Sequence, residues 1–157
     1  MAHVVLLSRH ISRPLSSIRS QSLISMRQEE TLAQDAYLTL GEQWNLPIFA
    51  YIANAELRHM AAIGGRLGRY NLIDLVAHDV RGQFADQKVT KWYEDVVKSG
   101  SQSVADELRV GVQVEELDIA DLQADLSTAR QQDIRSVYQD RLKGSQQHLR
   151  AFSVQLK

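Results

Sequence analysis

From Leu23 onward, apolar side chains recur at alternating intervals of three and four, the period of helices that bury one face. Met26, Glu30, Ala33, Tyr37, Leu40 and Trp44 form the first such stripe. Asn45-Leu46-Pro47 interrupts it, and Pro47 suits the first turn of a second helix, where its missing N–H costs nothing. That second stripe is Phe49, Ile52, Glu56, His59, Ile63 and Tyr70 and ends near Gly68 and Asn71. A third runs through Leu108, Val112, Glu115, Ile119, Leu122 and Leu126, with Ser101 or Ser103 as its cap. The fourth begins near Asp133, an N-cap candidate, and carries Ile134, Tyr138, Arg141, Ser145, His148 and Phe152. Between the second and third helices lies a connector with Gly82 and a shorter amphipathic stretch, Val89 to Val97. It is too long for a tight turn but suits a crossover between helices that are not antiparallel neighbours. No strand alternation competes, so the expected fold is an all-α four-helix bundle whose crossover carries a short extra helix.

Glu30, Glu56, His59 and Glu115 occupy stripe positions where Leu or Ile would serve packing, and His148 follows on the fourth helix. A buried carboxylate must be neutralised, paired or bound to a metal. Glu56-Leu57-Arg58-His59 places a carboxylate and an imidazole one turn apart on one helix face, within reach of one ion. Carboxylate-bridged metal sites in bundles draw one Glu from each of two helices and a Glu-x-x-His from each of the other two. Glu30, Glu56/His59 and Glu115 supply three of those parts. The fourth departs from the pattern, because Ser145 stands three residues before His148. Asp118, one turn beyond Glu115, is a substitute carboxylate; with it the charge balances two divalent ions, and without it a single ion, or two ions with an added anion, serves equally well. Oxygen and nitrogen donors without sulfur suit iron or manganese, and also zinc. Arg141 shares the face of His148 and can neutralise a carboxylate if less metal is held. Tyr37 and Tyr138 are candidates to bond the ligands, Trp44 and Trp92 are expected at helix ends, and Gly64-Gly65 is expected to permit close helix packing. His3, His10 and His78 have no evident partners.

The 157 residues suit one domain. No apolar run approaches the ~18 residues of a membrane span. Zero cysteines exclude disulfides, thiolate metal sites and a cysteine nucleophile. The net charge of -1 selects neither nucleic acid nor acidic lipid. Arg9, Arg13, Arg19 and Arg27 occur in the first 28 residues without any acid, giving +4 there and leaving -5 for the rest. Residues 1–22 are therefore expected to be a basic, flexible extension, with a targeting segment as the alternative, and residues 23–157 the bundle domain of a cytoplasmic protein.

The runs MRQEETLAQDAY, LPIFAYIANAELRHM, VGVQVEELDIADL and DIRSVYQDRLKGSQQHLRAF resemble a ferritin-like family catalogued only as a domain of unknown function. More distantly, Glu30, Ala33 and Tyr37 keep the spacing of the ligand helix of rubrerythrin. The resemblance implies a ferritin-like fold and a di-iron site, and no reaction; the function expected from the donor set is a di-iron, or mononuclear iron or manganese, site with oxidase- or peroxidase-type chemistry. A homo-oligomer is expected and, since rubrerythrin-like enzymes receive electrons through cysteine-bound iron that this chain lacks, an external electron donor. The alternative is a non-catalytic interaction or structural bundle whose polar seam is a degenerate metal site.

Overall fold

A computed structural model describes residues 15–76 and 80–157, so His3, His10, His78 and the first fourteen residues of the expected extension lie outside it. Among the described residues there are five helices and no strand beyond an isolated bridge between Val80 and Gln83. They are α1 (Ser17–Trp44), α2 (Pro47–Arg69), α3 (Gln87–Gly100), α4 (Val104–Thr128) and α5 (Gln132–Gln155). The four long helices form two hairpins, α1 with α2 and α4 with α5, while the crossover between the hairpins carries the shorter α3. This is the expected all-α bundle with a crossover that carries an extra helix.

The helix ends follow from local chemistry. Asn45 takes the left-handed conformation at the end of α1 (φ 54°), and Pro47 opens α2 directly afterwards. Ser103, not Ser101, caps α4, its Oγ accepting the Asp106 N–H at 3.1 Å. Asp133 is not the cap of α5, which is Gln131; it lies in the first turn and accepts the Tyr70 hydroxyl at 2.9 Å, with Arg69 at 3.5 Å. In the crossover, Gly82 holds φ +77° and donates its N–H to Asp35 at 2.7 Å. A Cβ there would lie 2.5 Å from the Tyr93 ring, so both backbone and space call for glycine.

Helix α1 begins at Ser17, earlier than the apolar pattern suggests. Its first turns are docked by a polar latch: the Ser22 hydroxyl donates to Asp125 at 2.5 Å and lies 3.2 Å from the Tyr138 hydroxyl. Leu15 packs against the cluster around Leu23 and Ile134, while Ile18 is exposed. Tyr138 serves this latch and does not touch the carboxylates of the centre.

The apolar core is divided in two. At one end Tyr37, Leu40, Phe49, Ile52, Leu108 and Phe152 pack together, their three rings with centroids 4.9–5.7 Å apart. At the other end Leu23, Met26, Ile63, Leu67, Leu122 and Ile134 form a second cluster. Between them, at matching heights on all four long helices, lie the charged residues of the stripes.

Candidate metal centre

Each long helix sends its interrupting residues into this middle layer. Glu30 comes from α1, Glu56 and His59 from α2, Glu115 and Asp118 from α4, and Arg141, Ser145 and His148 from α5. Glu30, Glu56 and Glu115 are each 2% exposed or less, whereas Glu29 is half-buried and Glu116 faces solvent. The helical period thus separates inward from outward carboxylates to the residue.

Glu56 is the hub. Its Oε2 lies 2.8 Å from His59 Nδ1 and accepts Arg141 Nη1 at 3.0 Å, while Oε1 lies 2.8 Å from His148 Nδ1. His148 Nδ1 also lies 3.4 Å from Glu115 Oε1, yet it makes no well-directed hydrogen bond to either carboxylate. Tyr37 donates its hydroxyl to Glu115 Oε1 at 2.9 Å. Two sets of donor atoms converge closely enough to hold an ion: Glu30, Glu56 and His59, and Glu56, Glu115 and His148. In each set the atoms lie within 4.8 Å of one another, and Glu56 belongs to both. Asp118 joins neither set. It accepts a short hydrogen bond from the Ser145 hydroxyl and another from Arg141 Nη2 at 2.8 Å. Arg141, 2% exposed, also contacts both oxygens of Glu30 directly.

Electrostatics follow from this crowding. Burial alone would raise Glu56, but the two histidines outweigh it and hold its carboxyl below the usual range. Burial would lower His148, but Glu115 and Glu56 outweigh it and raise the imidazole to about 9. Glu115 and Asp118 are pushed up by burial and then by neighbouring acids. Burial pulls Arg141 down to about 9, which still leaves the guanidinium charged at neutral pH. Glu29, beside the centre, is raised to about 7 by burial and by Asp121 and Asp125.

Two features of the surroundings differ from the sequence expectation. Trp92 does not sit at a helix end; it lies inside α3 and helps line a cavity of about 10 Å³, room for one water, beside Glu30, Glu115 and Arg141. Trp44 does sit at a helix end, donating its indole N–H to the Gly100 carbonyl at 3.2 Å. Close packing is served not by Gly64-Gly65, which has open space or the Arg27 and Asp74 side chains nearby, but by Gly41, Gly100, Gly111 and, at the polar layer, Gly144. A Cβ on Gly144 would lie 2.6 Å from His59 Cε1 and 2.9 Å from Nε2, so the absence of a side chain makes room for the imidazole. Its sequence signal is a glycine inside a helix, where it costs ~1 kcal/mol relative to Ala, immediately before an inward position.

Residues 19–157 match a family model described as an uncharacterized protein domain (DUF2202), and the chain belongs to that family. The match begins two residues into α1. A relative is the uncharacterized protein MJ0754 of Methanocaldococcus jannaschii, 43% identical over 140 residues, covering 89% of this chain and 76% of the relative. The crystal structure of hypothetical protein MJ0754 from Methanococcus jannaschii resembles this fold with a TM-score of 0.90 at 42% identity, covering 92% of this chain and 83% of that one.

Proposed function

We propose that this chain is a ferritin-like metal-binding protein whose polar layer holds a redox-active ion, iron first, with manganese as the alternative, and serves oxidase- or peroxidase-type chemistry; zinc would fit the same donors but would be redox-inert. The observation that carries this reading is His148 Nδ1, buried and without a directed hydrogen bond, beside the oxygens of Glu56 and Glu115. Without an ion the protonated imidazole pairs with these two oxygens, and an ion would take the place of its proton and share the same three donors. An iron or manganese ion there supplies one-electron exchange with dioxygen or peroxide. Glu56, Glu115 and His148 bind the ion, and the Tyr37 hydroxyl fixes the orientation of Glu115. Tyr37, Phe49 and Phe152 close the layer on one side and keep bulk water from it. With no cysteine in the chain, electrons arrive from an external donor.

A second reading rests on Arg141. Its contacts with Glu30, Glu56 and Asp118, together with the raised His148 imidazole beside Glu56 and Glu115, offset much of the acidic charge without any metal. On that reading the molecule is a metal-free interaction bundle. Elemental analysis of the untagged chain, purified from medium supplemented with iron, manganese and zinc, separates the two. Bound transition metal that disappears in Glu56→Ala supports the metalloprotein; a folded wild type with none above background refutes it. Oxygen- and peroxide-consumption assays then test the chemistry.

A further inference from the structure

Arg141 is a charged group at the centre of the layer that the metal chemistry above does not use. Its guanidinium, 3% exposed, lies on both oxygens of Glu30, on Glu56 Oε2 and on Asp118 Oδ2. Two of the three members of the Glu30/Glu56/His59 set are thereby already bound to a cation. The Glu56/Glu115/His148 set is free of it: Arg141 uses the other oxygen of Glu56, and no contact joins it to Glu115 or His148 among those formed by its side chain. Ser145 explains how the guanidinium fits. A carboxylate at that position would point into the layer one turn after Arg141; the small hydroxyl instead binds Asp118 and leaves the space open. Asp118, turned toward Ser145 and Arg141, is likewise withheld from both donor sets.

We propose that Arg141 is a resident cation standing in one of two ion positions, so that the centre takes one transition-metal ion, between Glu56, Glu115 and His148. This rests on the metal-binding reading above and specifies its stoichiometry. Guanidinium offers fixed N–H donors in a plane and keeps its proton, so it supplies one permanent positive charge between Glu30 and Glu56 where an ion would come and go. Glu56 then bridges one fixed charge and one exchangeable ion.

The full chain, loaded anaerobically with excess Co(II) or Fe(II) and desalted, is analysed for metal per chain, with the visible Co(II) spectrum as a second readout. Wild type is expected to hold one ion. His59→Ala is expected to keep it, and His148→Ala to bind at least tenfold more weakly. Arg141→Gln is expected to hold two ions, falling back to one in Arg141→Gln/His59→Ala, while Arg141→Lys stays at one. Two ions in wild type, or one in Arg141→Gln, would overturn the inference and leave the metal function standing. So would His59→Ala losing the ion while His148→Ala keeps it. If Arg141→Gln fails to fold, the two histidine variants decide the matter. A folded wild type that binds no ion refutes the function itself and the inference with it.

Discussion

Replacing Gly144 by Ala tests whether the space beside His59 is what the glycine provides. The new Cβ would sit 2.6 Å from His59 Cε1, against an ordinary contact of 3.4 Å or more, so the ring must retreat by about 0.8 Å. His59 is 18% exposed and has an exit toward solvent, but leaving breaks its 2.8 Å bond to Glu56. A hydrogen bond to a charged group is worth ~1.5–3 kcal/mol, while Ala gains ~1 kcal/mol over Gly in a helix interior. The net loss is about 0.5–2 kcal/mol, or about 2–6 °C in Tm for a chain of this size. In a His59→Ala background the obstacle is gone, and Gly144→Ala should instead stabilise by ~1 kcal/mol. Thermal and urea unfolding followed by circular dichroism, with chelator present, reads both values. The reasoning is refuted if Gly144→Ala stabilises the wild type, or if it destabilises the His59→Ala variant equally.

Three further substitutions probe other parts of the bundle. Glu107 is buried without a partner for either oxygen, and burial raises its carboxyl to about 7. Because the folded value lies above the unfolded one, its contribution is intact at acid pH and is lost as pH climbs from about 4.5 through about 7. Its place in the first turn of α4 and solvent screening reduce the effect to ~1–2 kcal/mol, so Glu107→Gln should be that much more stable than wild type at pH 8 and converge with it at pH 4.5. Tyr37→Phe removes the hydroxyl that donates to buried Glu115 and should cost ~1.5–3 kcal/mol in urea titrations; a change within error would mean that water replaces it. Ser22→Ala opens the latch to Asp125 and should cost ~1 kcal/mol, with amide hydrogen exchange accelerated chiefly in the first turns of α1.

Helical periodicity was enough to find the bundle and the inward acids. Glu30 and Glu115, each adjacent in sequence to another Glu, are distinguished from Glu29 and Glu116 by phase alone, since a one-residue step rotates a helix position by ~100°. The early start of α1 was not legible, because the segment is polar and its anchors, Asp125 and Tyr138, are over a hundred residues away. Pairing within the layer was also hidden. Periodicity puts Arg141 on the same face as His148, but the reach of its side chain to α1, α2 and α4 depends on how closely the helices approach. Asp118 looked equally suited to an ion and to a neighbouring donor; Ser145 and Arg141 at hydrogen-bonding range make it the acceptor of both. Glycine at position 144 was overlooked because its value lies in an atom it lacks.

The polar layer between two apolar clusters also acts as a key for helix register. Sliding α5 by one turn, ~5.4 Å, would in one direction bring Tyr138 to the level of Arg141, and in the other carry Arg141 toward Leu23 and Leu122 and bring Phe152 to the level of His148. Either shift strips the guanidinium from its acids and buries charges without partners, a cost that a uniformly apolar seam would not impose. The same residues that could hold an ion thus distinguish one alignment of the four helices from its neighbours, and they need no ion to do so.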